Sequence, residues 1–278
     1  MAEPLVVRLA NEYRQQLAER EAGAVKEMVE GWLKVEQALE ASITDLVEKL
    51  AEKQAAGEAI SEAELFRLDR YRALLAQTLE QMSRFNGQAA SRIDELQQQA
   101  AGQGLENGAD LIGATARTAS LTFDRLGIEA TENLVAVARA GQPLNKLLAA
   151  AYPQGVMGMT DQMIRGVALG INPREVTRRI LREGLAQSLN HVLLVTRDQH
   201  LRAYRTANLT QMKNSRVVSG YRRLCAKQSR TCLSCLALDQ KFYSLDDPFI
   251  QHAQCRCSLL PVVIGFKPIE TEAGEAWF

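Results

Sequence analysis

The sequence predicts a mainly α-helical protein that ends in a small α+β module with a metal-binding site. Three observations lead to this prediction. No proline occurs between Pro4 and Pro143, and this stretch is rich in residues that favour helices. Apolar residues recur within it at spacings of three and four, as on one face of a helix. All five cysteines lie between positions 225 and 257.

The composition is that of an ordinary globular protein, with 46% hydrophobic residues in a chain of 278. No segment reaches the roughly 18 uninterrupted apolar residues that a membrane span needs. The opening MAEPLVVRLANEYR lacks the layout of a signal peptide. We therefore expect a protein without membrane association that is made in the cytosol. Cysteines confined to one short region do not resemble a disulfide framework.

Residues 1–104 predict a hairpin of two long helices. The first ends near Ala55-Ala56-Gly57, and the second begins at Ser61 with Glu64 at capping-box spacing. Gly102 and Gly104 are expected to stop the second helix. Because about four residues connect the two helices, they should run antiparallel. The apolar stripe of the first helix comprises Val25, Met28, Trp32, Val35, Leu39, Ile43, Leu46 and Leu50, and that of the second Leu65, Leu68, Tyr71, Leu75, Leu79, Met82, Ala89, Ile93 and Leu96.

Residues 105–189 predict a middle region of shorter helices. Asn172 and Pro173 have the spacing of an N-cap and a first helical residue, and Glu175 completes an acidic first turn of a helix that reaches about Leu189. Breaks are expected at Gly108, Gly127, Gly141-Gln142-Pro143 and Tyr152-Pro153-Gln154-Gly155.

Residues 190–265 predict the α+β module, and residues 266–278 a loose C-terminal tail. The module is expected to open with a basic helix from His191 to about Lys213. Val217-Val218 and the run from Leu259 to Ile264 favour strands.

The formal net charge of zero hides a strong asymmetry. Residues 1–110 hold 12 Lys+Arg against 20 Asp+Glu, a net of −8. Residues 196–231 hold 9 Lys+Arg against Asp198 alone, a net of +8. The basic stretch is a candidate contact for DNA or another anionic partner, or else a solvated face balanced by the acidic region. Its members are Arg197, Arg202, Arg205, Lys213, Arg216, Arg222, Arg223, Lys227 and Arg230.

The cysteines carry the clearest chemical signal. Cys232-x2-Cys235 is followed after sixteen residues by His252-x2-Cys255-x-Cys257; these five residues are called the Cys/His cluster. A Cys-x-x-Cys turn aims two sulfurs at one zinc ion, and a distant second pair completes a tetrahedron. Cys255 and Cys257 compete for the fourth position, because alternate residues of an extended strand point to opposite faces.

The alternatives are reduced cysteines without metal, or a redox pair at Cys232 and Cys235. A companion histidine and cysteine at metal-ligand spacing favour one structural zinc ion. Cys225 is expected to be a buried apolar thiol. His191 and His200 are expected to be a packing residue and a surface residue, respectively.

Five short motifs follow one another in the C-terminal region: Arg230 to Asp239, Phe242-Tyr243, Asp246-Asp247-Pro248, His252 to Cys257, and Pro261. Their order and spacing resemble those of phage Mu F-like minor head proteins, also called head morphogenesis proteins. Two departures from the family pattern occur. Gln240 stands where the family usually has glycine, and an acidic residue is missing near Gln228.

The resemblance implies a structural virion component of a phage or prophage, assembled in the bacterial host cytoplasm. Its implied partners are the portal or the major capsid protein, with packaged DNA as a further contact and an oligomeric state in the virion. One alternative is a zinc-dependent, non-specific DNA-binding protein. A less favoured one is a zinc hydrolase, with Asp239, Asp246 or Asp247 as a base. The chain lacks the motifs of zinc deaminases, metalloproteases and phosphate-binding loops, so we expect no enzyme.

Overall fold

The computed structural model describes residues 3–58, 60–116, 130–139 and 142–267. Its elements follow the expected fold class: helices dominate, and one small antiparallel sheet lies near the C-terminus. The helices are α1 (Leu5–Ala55), α2 (Glu62–Arg67), α3 (Asp69–Ala116), α4 (Ala130–Ala138), α5 (Leu144–Ala149), α6 (Tyr152–Ala168), α7 (Pro173–Arg179), α8 (Ala186–Asn214) and α9 (Leu233–Ala237), with a π-helical turn at Ile180–Gly184. The strands are β1 (Val218–Leu224), β2 (Phe242–Ser244) and β3 (Ser258–Val263).

The chain forms two compact units. The first contains the described parts of residues 1–24, 93–142 and 196–278, and the second contains residues 25–92 and 143–195. Helices α1, α3 and α8 each contribute residues to both units. The domain boundaries expected from the sequence remain a prediction, and the tail from residue 268 onward lies outside the described residues.

Within the second unit, α1 and α3 pair antiparallel, as the sequence predicts. Ser61 caps α2 with the full reciprocal capping box, and the chain turns again at Leu68 before α3 begins. Of the predicted stripe residues, Leu79 is exposed instead of buried. Contacts that fix the antiparallel direction join Glu27 to Arg92, Trp32 to Phe85, Ala38 to Gln77 and Asp45 to Arg70.

Three expected helix breaks are wrong. Helix α3 continues through Gly102 and Gly104 to Ala116, and Gly108 also lies within it. A Cβ atom on Gly104 would lie 2.3 Å from the carbonyl oxygen of Tyr204, so this glycine permits a close approach of α8. The stretch from Tyr152 to Gly155 is the first turn of α6, where a proline is tolerated. Gly127 and Gly141 lie outside the described residues.

Helix α7 begins as expected, with the Asn172 side chain accepting a hydrogen bond from the amide of Arg174. It passes into the π-helical turn before α8, so the helix expected to reach Leu189 ends earlier. Gly158 and Gly184 make a close backbone contact there. No helix in the described part of the chain carries an apolar stretch long enough to cross a membrane.

The three-stranded sheet belongs to the first unit and has the order β2-β1-β3, with both pairings antiparallel. Pro261 lies in β3, an edge strand, where the missing N–H is tolerated. Leu224 and Leu260 pack against Val6 and Val7 of α1. Other sheet residues pack on the ends of α3 and α8; this core comprises Ile112, Ala116, Met212, Val218, Tyr221, Leu259 and Val263.

Candidate metal centre

The first half of the centre is built by the start of α9. Cys232 is the N-cap of this helix, in an extended conformation, and its Sγ accepts a hydrogen bond from the Cys235 amide at 3.4 Å. The cap turns the chain so that both sulfurs face the same point. Just upstream, Gln228 and Thr231 close a turn through two reciprocal hydrogen bonds of 2.8 and 2.9 Å.

His252 completes a three-donor group with these two cysteines. Its Nε2 lies 3.3 Å from the Sγ of Cys232 and 3.2 Å from the Sγ of Cys235. Its Nδ1 lies 2.7 Å from the carbonyl oxygen of Ala253, which only accepts hydrogen bonds. The ring proton therefore belongs on Nδ1, which leaves the Nε2 lone pair for a metal ion, as in metal sites whose histidines are oriented by a carbonyl.

The last two cysteines reach the centre through a tight turn. The Cys255 amide donates to the carbonyl of His252 at 3.1 Å, and Gln254 adopts a left-handed φ of 64°. This turn precedes β3, so the alternation of an extended strand does not separate Cys255 from Cys257. The sulfurs of Cys235, Cys255 and Cys257 all lie within 4.8 Å of one another.

The donors form two groups of three that share Cys235, and their known separations are close to those around a zinc ion. Tetrahedral coordination with Zn–S bonds of about 2.3 Å and a Zn–N bond of about 2.0 Å sets neighbouring sulfurs roughly 3.8 Å apart, and sulfur and nitrogen roughly 3.5 Å apart. The sulfurs of Cys235 and Cys255 are 3.8 Å apart, and the His252 nitrogen lies slightly closer to its two sulfurs than that estimate. A pocket of about 270 Å³, lined in part by Gln228, Arg230 and Gln254, leads from the surface to these donors.

The environment raises the pKa of two of the thiols. A hydrogen bond to Cys257, together with burial, raises the pKa of Cys255 to about 12. Burial, followed by the neighbouring cysteines, raises the pKa of Cys235. By contrast, the hydrogen bond from Cys257 lowers the pKa of Cys225 to about 7. Since the thiolate is the metal ligand, a bound metal ion would have to displace protons from Cys235 and Cys255.

Two buried arginines hold the centre in place. Arg223 donates to the sulfurs of Cys235 and Cys255 at 3.4 and 3.3 Å, and to the carbonyl of Ile250 at 2.7 Å. Burial lowers the pKa of Arg223, but the neighbouring cysteine sulfurs raise it by more. The net pKa is raised, so the guanidinium stays charged. Arg205 donates to the carbonyls of Cys255 and Cys257 at 2.6 and 3.0 Å.

The basic stretch expected to contact DNA does not form one open face. Arg205 and Arg223 are 4% and 3% exposed, so the expectation that they contact an anionic partner is wrong. They are needed inside the module, where carbonyl oxygens and sulfurs accept their hydrogen bonds. Arg197 pairs with Glu21, Arg202 with Asp198 and Lys227 with Asp239, while Arg222 is partly buried. Lys213, Arg216 and Arg230 are exposed.

A structural role explains the positions of the other candidate residues, which are aspartates and histidines outside the Cys/His cluster. The Asp247 carboxylate accepts from the Ser244 amide at 2.8 Å in the expected turn, and Asp239 accepts from the Cys225 amide at 2.6 Å. His191 contacts the carbonyl of Leu147 at 2.7 Å. His200 is fully buried, so the expectation of a surface residue is wrong: the α8 face that carries it is covered, although its sequence is polar.

Comparison with known proteins gives one family. Residues 158–260 match the family model described as phage Mu protein F like protein. The matched stretch begins in α6, ends in β3 and contains the whole Cys/His cluster. Searches of curated proteins and of solved structures find no match. The match over residues 158–260 therefore supports a relationship of this chain to the phage Mu protein F like family of phage head morphogenesis proteins.

Proposed function

We propose that this chain is a minor head protein of a phage or prophage, a structural component of the virion with a structural zinc site. The observation that carries the proposal is the coincidence of the family match with the Cys/His cluster. A head protein must keep its fold through assembly without help from a substrate or cofactor supplied later. A metal-closed module on a helical body suits that requirement.

The zinc ligands in this proposal are Cys232, Cys235 and His252, which lie within 4.8 Å of one another, with Cys255 or Cys257 of the overlapping group as the fourth. Support comes from the donor separations, from the proton position on His252 and from the cap that orients Cys232. Four protein ligands leave no open position for water, as is usual for structural zinc. Binding would contribute folding free energy on the order of 10 kcal/mol to a module with a small apolar core.

A structural role is also supported by the state of the nearby carboxylates. A hydrolytic zinc site needs an open coordination position and a free general base. Asp239 is paired with Lys227 and with the Cys225 amide, and Asp247 caps a turn. These contacts give Asp239 and Asp247 structural roles, which supports the proposal that the chain is not an enzyme.

The proposed location is the virion, at the portal vertex or the capsid interior, after assembly in the bacterial cytoplasm. The proposed partners are the portal or major capsid protein, with an oligomeric arrangement in the particle and no membrane contact. DNA remains a further proposed contact through the exposed Lys213, Arg216 and Arg230. Such binding would be non-specific and would weaken steeply as the salt concentration rises.

The test uses the phage or prophage that encodes the chain. Its gene is deleted and supplied in trans as the wild type, as Cys232→Ser or as the control Ser234→Ala, and heads are purified on a gradient. The wild-type and control chains should sediment with heads, whereas Cys232→Ser should be absent from them because its module is unfolded. A wild-type chain that stays free and never accompanies heads contradicts the proposal. If it instead binds DNA in a salt-dependent way, the DNA-binding alternative is favoured.

A further inference from the structure

One face of the three-stranded sheet is only partly covered. Helix α1 packs on Leu260 and so covers one end of this face. Beyond that end, Gly220 of β1 is paired with Val262 of β3. The ring of Phe242 lies over Gly220, because a Cβ atom on this glycine would be 2.5 Å from two ring carbons. Phe242 is nevertheless 53% exposed, and Ile264, two residues after Val262, is 62% exposed.

Arg222 lies beside the exposed ring on this same face. It is directly opposite Phe242 on β2 and Leu260 on β3, and side chains of directly opposite residues share a face. Within the described part of the chain no ion pair involves Arg222, and its buried Nε has no hydrogen-bond partner there. Phe242, Gly220, Arg222, Val262 and Ile264 are called the open sheet face. An aromatic ring beside an uncompensated guanidinium suits a ligand that carries both carboxylates and apolar groups.

We propose that the open sheet face binds residues 268–278 of the same chain. This segment, PIETEAGEAWF, lies outside the described residues; it holds three glutamates and no lysine or arginine. Its carboxylates complement the charge of Arg222, and Trp277 supplies an aromatic group for packing on Phe242. The proposal does not depend on the zinc site or on its ligands.

The path of the chain after β3 places the start of this segment beside the sheet. The Phe266 amide donates to the Val263 carbonyl at 3.2 Å, and Gly265 has a left-handed φ of 83°, so the chain turns back at this point. Strands β3 and β2 flank β1, which sets them roughly 10 Å apart. Eleven extended residues span at most about 36–40 Å. Trp277 is therefore within reach of Phe242.

A nucleobase is the other ligand with the right chemistry, since bases stack on aromatic rings beside cations. The attached segment is favoured over it for two reasons. A short tether gives a ligand on the same chain an effective concentration in the millimolar range. The three glutamates also repel a nucleic acid backbone from the same surface.

The test uses Trp277 as a reporter in the full-length protein. The only other tryptophan, Trp32, is buried in α1. Acrylamide quenching is measured for each protein and for the same protein carrying Trp277→Leu, and the difference isolates Trp277. We expect Trp277 to be shielded in the wild type and to lose this shielding in Phe242→Ser. Arg222→Gln should give a partial loss, and added salt should weaken shielding in the wild type.

The matched control is Leu169→Ser, which changes an apolar residue of the second unit that is 68% exposed and should leave Trp277 shielded. Ile264→Ser at the exposed turn is a second variant, in case Phe242→Ser impairs folding. A Trp277 that is freely quenched in the wild type, or that stays shielded in both serine variants, overturns the proposal.

Two further outcomes would assign the face to another ligand and also overturn it. Shielding that is lost on dilution would show that the segment binds to a second copy of the chain. The second outcome uses oligothymidylate as the probe. If Trp277 is freely quenched and the oligonucleotide binds the wild type more tightly than Phe242→Ser, the face binds single-stranded nucleic acid.

Discussion

The carboxylate of Glu21 on α1 holds the guanidinium of Arg256 through two contacts of 2.6 Å each. Arg256 lies between Cys255 and Cys257, so this pair ties the N-terminal helix to the turn that brings the last two cysteines to the metal centre. Arg197 of α8 adds a third contact to the same carboxylate at 3.3 Å. Glu21 is buried, which makes it the anchor of the arrangement.

We predict that Glu21→Gln lowers the free energy of unfolding by about 2 kcal/mol, because it leaves two arginines without their counter-charge. The value is set below that of a fully buried pair because Arg256 and Arg197 are partly exposed. The control is Glu19→Gln on the exposed face of α1, where a change within about 0.5 kcal/mol is expected. Denaturant unfolding measures both. Equal effects of the two substitutions would show that the Glu21 contacts contribute nothing.

Gly104 and Gly102 form a matched pair within α3. A Cβ atom on Gly104 would meet the Tyr204 carbonyl oxygen at 2.3 Å and the Ala207 side chain at 2.9 Å, whereas nothing lies within 4 Å of one on Gly102. Gly104→Ala should therefore destabilise the chain by roughly 1–3 kcal/mol through overpacking. Gly102→Ala should stabilise it by about 0.5–1 kcal/mol through helix propensity. Thermal unfolding of both variants checks this. A stabilised Gly104→Ala would contradict the close approach of α3 and α8.

The burial of His200 leads us to predict that the protein loses stability in mild acid. Burial, with Arg20, Arg256 and Arg205 nearby, lowers its pKa to about 3, against about 6.5 in an unfolded chain. The unfolded state therefore binds this proton first, and stability present above pH 6.5 is lost as the pH falls towards 3. At pH 5, protonation of His200 in the unfolded state lowers the free energy of unfolding by about 2 kcal/mol relative to its value well above pH 6.5.

His200→Leu should remove this part of the pH dependence. The quantity to measure is the change in unfolding free energy between pH 7.5 and pH 5, for the wild type and for the variant at the same zinc concentration. Protonation of the metal ligands affects both proteins, so the difference between them isolates His200. Identical pH dependences would contradict the prediction.

The backbone conformation of Gln240 leads us to predict that glycine at this position stabilises the protein. It has a left-handed φ of 61°, a conformation that costs a non-glycine residue roughly 1 kcal/mol. Its amide donates to the Arg223 carbonyl at 2.8 Å, and glycine would keep that bond. Gln240→Gly should raise the unfolding free energy by about 0.5–1 kcal/mol. In the control Gln228→Gly, where φ is not positive, glycine should destabilise. A destabilised Gln240→Gly would show that the side chain contributes more than the strain costs.

Local signals explain the part of the fold that is predictable from sequence. The capping box at Ser61, the Asn172-Pro173 helix start and the apolar stripes of α1 and α3 are properties of neighbouring residues. The role of Gly104 depends on Tyr204, a hundred residues away in the sequence, so the local pattern suggested a helix end instead of a close contact. Strand β2 has only three residues, too few for a periodic signal.

Some features of the candidate site are likewise predictable from the sequence, and others are not. The spacing of the cysteines and His252 predicts a common centre, and the structure brings all five residues into two overlapping groups. The roles of Arg205 and Arg223 were missed because a sequence gives charge and not burial. One signal existed: Arg222 and Arg223 are adjacent and follow the β-prone Val217-Val218, and in a strand that continues to them one of the two faces inward. At Gln240, the glycine that the resemblance leads one to expect would suit the left-handed φ of 61° that the structure has there.

The central claim is that zinc at the Cys/His cluster maintains the fold of the C-terminal module. Hydrogen–deuterium exchange tests it most directly, with the purified chain compared before and after zinc is removed by a chelator under reducing conditions. We predict that amide protection in β1 and β3 is lost on zinc removal, while α1 between Trp32 and Leu50 stays protected, and that added zinc restores it. Equal protection of β1 and β3 in the zinc-free chain would contradict the claim.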